Sequence, residues 1–251
     1  MDRLENIDFC IRYLMRQGGI KAEVPLSLEG KQRLFRALCN VWQPQPLSAD
    51  YLNAQDAELQ AQMADKGVVK PEGSNITLWQ GDITRLQADA IVNAANSQGL
   101  GCWHPLHSCI DNAIHSAAGL QLRQACNDIL KGRMIKTGEA IITKGYNLPC
   151  KYVIHTVGPI IPTGVPTKEQ EQQLADCYAN SLFLAEANGC RSIAFCCIST
   201  GEFRFPNRRA AEIAVATIKA FLSSHITQLQ ILFNVFKDID YDIYRKLLGK
   251  D

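Results

Sequence analysis

Apolar residues recur at three- and four-residue steps from the start of the chain. Leu4, Ile7, Ile11 and Leu14 fall on one side of a predicted helix that Gly18-Gly19 stops. Ser27 stands as a cap ahead of LEGKQRLFRALCNVW, where Leu34, Leu38 and Val41 share a face and Pro44 and Pro46 end the run. SADYLNAQDAELQAQMADK predicts a third helix closed by Gly67. Past the junction KPEGSN, Lys70 to Asn75, the period changes. ITLWQ is a short strand entering the turn GDIT, and ADAIVNAAN is a nearly unbroken apolar strand, as expected where both faces are covered. There follow a helix from about Ile110, strands EAIITKG and YVIHTVG, and a helix from roughly Lys168 to Asn188. Strand SIAFCCIS, a helix over about Asn207 to Leu222, strand LQILFNVF and helix DYDIYRKLL complete the pattern. Alternating strands and helices predict a three-layer α/β domain over 74–251, with 1–73 as an N-terminal helical appendage that holds no catalytic cluster.

Composition narrows the function classes. With 251 residues, 47% hydrophobic and 20% charged, the chain is globular rather than disordered. A net charge of +1 argues against a nucleic-acid partner, so an anion site has to come from backbone amides. No apolar run approaches the roughly 20 residues that span a bilayer, so no membrane association is expected. The opening MDRLENIDFCIRYLMRQ is too acidic and polar for a secretory signal, which points to a cytoplasmic protein. Its ten cysteines are then expected as reduced thiols, mostly small buried residues, with Cys196 and Cys197 packed inside a strand. Nothing in the pattern predicts an interface, so the expectation is a monomer.

Three segments leave strands carrying chemistry: GDIT (Gly81 to Thr84), NAANSQGLG, and ISTGEFRFPNRRAA, whose Ser199-Thr200-Gly201 turn precedes a helix and offers N–H groups to a phosphate. Between the second of these and the helix at Ile110 lies GCWHPLHSC. Cys102, His107 and Cys109 are ligand types that suit a tetrahedral Zn²⁺, and Pro105 can help the loop fold back on one ion. His104 competes as a fourth ligand. The alternatives are a Cys102–Cys109 disulfide or two inert thiols. Three protein ligands would leave the open position of a catalytic zinc; four would make the site structural. The other histidines read as structural: His115 on a helix face four residues from Asp111, His155 in a buried strand, and His225 near a helix end.

Taken together, GDIT, ADAIVNAAN, CIDNAIHSAAG, TGEAIITKGYNLP, KYVIHTVGP and ISTGEFRFP resemble, in order and spacing, a macrodomain, the ADP-ribose-binding α/β module, over about residues 74 to 250. The resemblance implies a mixed central sheet between helices, with an ADP-ribose cleft across its top. It implies that Asp82 accepts from the adenine amino group with Ile83 beside it, and that Asn96 holds the distal ribose. Ser199, Thr200, Gly201, Glu202 and Phe203 would wrap the diphosphate, and Phe236 would face the adenine. Read without the family, Asp82 is a turn-former and Asn96 an amide tying a loop. Glu202 and Arg204 depart from the usual pattern, and the Glu202 carboxylate would repel a diphosphate unless it points away.

The loop from Asn96 to Asp111 is longer than the glycine-rich loop of catalytic macrodomains, and resembles that of the zinc-dependent microbial subgroup with its Cys, His and Cys. On that resemblance Cys102, His107 and Cys109 are the ligands of a Zn²⁺ cofactor, and Asn96 and Asp111 are catalytic. The implied activity is hydrolysis of ADP-ribose from a protein side chain. The implied partners are ADP-ribose, an ADP-ribosylated protein such as a lipoyl-carrier protein, and a sirtuin-type ADP-ribosyltransferase, with the appendage as a docking or stabilising element. The rival expectations are an ADP-ribose reader with a structural zinc, and a thiol-based redox or metal sensor that has lost the nucleotide.

Overall fold

The computed structural model of the chain describes residues 2–73, 75–225 and 227–249; Ser74, the first residue of the expected α/β domain, lies outside them. Three helices open the fold: α1 (Arg3–Gly18), α2 (Leu28–Val41) and α3 (Ala49–Lys66). Each starts on a side chain that accepts a backbone N–H, Asp2, Ser27 and Ser48 in turn, and Asp2 forms a reciprocal capping box with Glu5. Ile7, Ile11, Leu14, Phe35, Leu38, Trp42 and Tyr51 make a core of their own, joined by Leu120 from the α/β region.

Two expected core positions are corrected. Leu4 and Val41 are exposed, while α2 buries Phe35 together with the polar Lys31 and Asn40. Helix α2 packs against α1 on one side and against α4, described below, on the other, so the face it buries is wider than an apolar stripe and carries partnered polar groups. Lys31 pairs with Asp8 of α1.

The remaining elements are β1 (Ile76–Gln80), β2 (Ala88–Ala94), α4 (Ile110–Ala118), α5 (Leu120–Leu130), β3 (Ala140–Lys144), β4 (Cys150–Thr156), α6 (Lys168–Ala187), β5 (Ser192–Phe195), α7 (Asn207–Ser224), β6 (Gln230–Val235) and α8 (Asp238–Leu247). The helix expected from Ile110 is in fact two, because Gly119, at φ +97°, turns the chain between α4 and α5. Strand β5 ends at Phe195, so Cys196 and Cys197 lie beyond it rather than within it.

The sheet runs β1-β6-β5-β2-β4-β3, parallel throughout except that β3 is antiparallel to β4. This is the mixed sheet expected. Helices α6 and α7 lie in crossovers that step one way along the sheet, α4 and α5 lie in the crossover from β2 that steps the other way, and α8 follows the last strand. Strands β2 and β5 are neighbours from which the chain departs in opposite directions, so a crevice opens beyond their carboxyl ends. Among the described residues, no helix is long and apolar enough to cross a membrane.

Candidate functional site

The crevice is a cleft of about 410 Å³, bounded by the segments that follow β2, β5 and β6. That is within the size of small-molecule sites, about 300–1,000 Å³. Asn96, Cys102, His107, Cys109, Asp111, the run Ser199 to Phe203, and Phe236 all line it. Asp82 and Ile83 do not. Ile83 is buried in the core, and Asp82 caps the turn after β1, where its carboxylate accepts from the Thr84 N–H (3.0 Å) and hydroxyl (2.7 Å). Asp82 borders a second hollow of about 420 Å³ between α2, α3 and α4, with Lys66 Nζ 3.8 Å away.

At the floor of the cleft, Asp111 in the first turn of α4 is almost fully buried. Asn93 Nδ2 donates to Asp111 Oδ1 at 2.8 Å, and Asn96 Nδ2 donates to Oδ2 at 3.3 Å. Asn96 Oδ1 accepts the N–H groups of Gln98 and Gly99, so its side chain also ties the loop. Burial pushes the Asp111 carboxyl up to about 6, against the pull of the Asn93 hydrogen bond and the Arg123 charge. His115 Nε2 lies 3.6 Å from Asp111 Oδ1, but burial, reinforced by His155 and Arg123, lowers the His115 pKa well below its usual value. The imidazole is therefore neutral and the contact is not an ion pair. His155 is pushed down to about 3 by burial; its Nδ1 meets Asn93 Nδ2 at 3.2 Å and its Nε2 meets the Thr143 hydroxyl at 3.0 Å.

On the wall, donor atoms of Cys102, His107 and Cys109 all lie within 4.8 Å of one another. Cys102 Sγ is 3.7 Å from His107 Nδ1, close to the about 3.6 Å edge of a tetrahedron with 2.3 Å Zn–S and 2.05 Å Zn–N bonds. Cys109 is the N-cap of α4, accepting the Asn112 N–H at 3.4 Å. Burial raises its thiol to about 12, with Cys102 and Asp111 adding to the shift, so a cation has to displace the proton to bind the thiolate. His104 is exposed and not among the converging donors. All ten cysteines are free thiols, Cys102 and Cys109 among them.

Opposite, the loop after β5 turns through Ser199 at φ +66° and Arg204 at φ +59°. The N–H of Thr200 bonds Cys197 O, that of Arg204 bonds Gly201 O and that of Phe205 bonds Ser199 O. Among the described residues, the N–H groups of Gly201, Glu202 and Phe203 have no protein partner, which leaves three adjacent donors on the cleft ahead of α7. The Glu202 side chain is exposed and reaches His107, Oε1 to Nε2 at 3.8 Å.

A family model described as the macro domain matches residues 92–214. A protein-ADP-ribose hydrolase of Treponema medium is 45% identical over 264 residues, covering 99% of this chain and all of its own length. The protein-ADP-ribose hydrolase of Staphylococcus aureus strain MSSA476 is 47% identical over 235 residues, 91% of this chain and 88% of its own. The chain belongs to the macro domain family. Among solved structures, a Trypanosoma brucei macrodomain in complex with ADP-ribose is 31% identical and covers 91% of this chain and 97% of its own, with a TM-score of 0.64.

Within this macrodomain, sequence reasoning passed over Asn93, Arg36 and Arg123. Asn93 carried a signal, an amide inside an otherwise apolar buried strand, which needs a partner. The two arginines carried none, because every group they hold that bears on the site is distant in sequence.

Proposed function

We propose that this macrodomain protein is a zinc-dependent hydrolase that releases single ADP-ribose groups from a modified protein side chain. The observation that carries the reading is the convergence of Cys102, His107 and Cys109 on the cleft that also holds Asn96 and Asp111. The hydrolase names of the Treponema and Staphylococcus relatives support it. So does the ADP-ribose bound by the Trypanosoma macrodomain. Cys102, His107 and Cys109 would hold zinc, which when bound supplies Lewis acidity beside the distal ribose.

The chain's own groups do the rest. The N–H groups of Gly201, Glu202 and Phe203 bind the diphosphate and exposed Phe236 on the lip covers the adenine, while Asp82 and Ile83, which lie outside the cleft, take no part. Asn96 holds the distal ribose, and Asp111 orients a water or takes its proton. A carboxyl lifted toward neutrality by burial is a better base than an exposed one. A lipoyl-carrier protein modified by a sirtuin-type transferase is the proposed substrate, on resemblance alone. The rival reading, a non-catalytic reader whose zinc is closed by His104, is less well supported because that ring is exposed and outside the donor set.

The test pairs release of free ADP-ribose from mono-ADP-ribosylated protein with calorimetry of ADP-ribose binding. Chelation and Cys102→Ala should each lower release by at least two orders of magnitude while ADP-ribose still binds. Normal release by Cys102→Ala removes zinc from the mechanism.

A further inference from the structure

The loop that carries the three metal-ligand candidates is fastened from outside the α/β domain. Arg36, half-buried on α2, places Nη2 2.7 Å and Nε 3.1 Å from Asn112 Oδ1, and donates from Nη2 to the His107 carbonyl at 2.9 Å. Asn112 continues the chain of contacts. Its Nδ2 donates to His104 O at 3.0 Å, and its backbone N–H meets Cys109 Sγ.

One turn further along α2, the buried Asn40 accepts the Leu106 N–H through Oδ1 at 2.9 Å. Leu106 sits at φ +59°, a left-handed conformation that a branched side chain adopts only when its surroundings enforce it. The loop's other end is tied to the same helix. Arg123 Nε donates to Leu100 O, and its Nη1 donates to the carbonyls of Cys39, Asn40 and Trp42 where α2 ends.

We infer that α2 is part of the metal site, with Arg36 as the positioning residue that sets the His107 backbone and Asn112 together and so brings the His107 imidazole and the Cys109 thiol onto Cys102. The inference rests on the zinc reading above and gives the appendage a role in it. A guanidinium suits the task because its planar fork bonds Asn112 Oδ1 and His107 O at once, whereas an ammonium is a point donor on a flexible stem. Groups that orient metal ligands through hydrogen bonds typically change metal affinity about 10–100-fold when removed.

The experiment measures zinc affinity of the full chain by competition with a chromophoric chelator, alongside the absorption spectrum of the Co²⁺-substituted protein and the melting temperature of the metal-free protein. Four proteins are compared: wild type, Arg36→Ala, Arg36→Lys, and Arg33→Ala as a control that removes an exposed charge from the same helix. Wild type and Arg33→Ala should take up one zinc with equal affinity. Arg36→Ala should bind it about 10–100-fold more weakly, with an altered Co²⁺–thiolate spectrum and a metal-free melting temperature close to wild type. Arg36→Lys should recover little of the loss, and it decides the matter if the alanine variant does not fold. Wild-type zinc affinity and an unchanged Co²⁺ spectrum in Arg36→Lys or Arg36→Ala overturn the inference. A wild-type chain that takes up no zinc overturns the reading of the site itself, and the two failures are distinguished by the first protein measured.

Discussion

A single missing side chain shapes the cleft wall formed by Ser199 to Phe203. A Cβ on Gly158, just past β4, would stand 2.0 Å from Ser199 Oγ and 2.8 Å from Ile198 Cγ2. Ser199 is itself buried and held in the left-handed region, so it has no easy retreat. Gly158→Ala should therefore move the loop that presents the amides of Gly201 to Phe203. Forced overpacking of this kind costs roughly 1–3 kcal/mol, and the displaced amides should turn part of that into weaker ADP-ribose binding, at least severalfold by calorimetry. An unchanged affinity would mean that the loop absorbs the methyl without moving its donors.

At the scale of elements, Arg123 joins α5 to the end of α2 and to the start of the loop that carries Cys102, His107 and Cys109, and it stacks over Trp103 with its guanidinium carbon 4.2 Å from the ring centre. Arg123→Met keeps the apolar stem but leaves buried carbonyls at the α2 terminus without a donor, so the urea midpoint should fall by the equivalent of roughly 2–4 kcal/mol. This junction also marks where sequence reading stops. Helix α1, the cap at Ser27, the sheet strands and α6 were legible because each is dictated by local period and capping chemistry. The convergence of Cys102, His107 and Cys109 was legible as a possibility from spacing, and their place on the cleft followed from family resemblance. The polar face of α2 was not legible, because Asn40 and Arg36 are buried by partners more than sixty residues away, and an apolar-stripe rule assigns Val41 in their place. The split between α4 and α5 was missed because the apolar pattern runs on through Gly119.

For the molecule as a whole, His115 and His155 are folded in as neutral rings, one well below its ordinary pKa and the other down to about 3. The unfolded chain takes up protons on both below about 6.5 while the folded chain does not, so the stability these two rings contribute is full above that pH and is lost as pH falls toward 3. His155 alone should remove about 2 kcal/mol between pH 7.5 and 5, read as a drop in the urea midpoint of the metal-free protein; His155→Gln should flatten the profile. The sheet order carries a consequence for synthesis. Strand β1 has one neighbour in the sheet, β6, and Ile76 pairs with Ile231. At about 5–20 residues per second, a nascent β1 waits on the order of ten seconds for its partner. The α2 clamp emerges before the loop it grips, so on the ribosome the cleft wall that carries Cys102, His107 and Cys109 has its scaffold first and the lip at Phe236 is completed last.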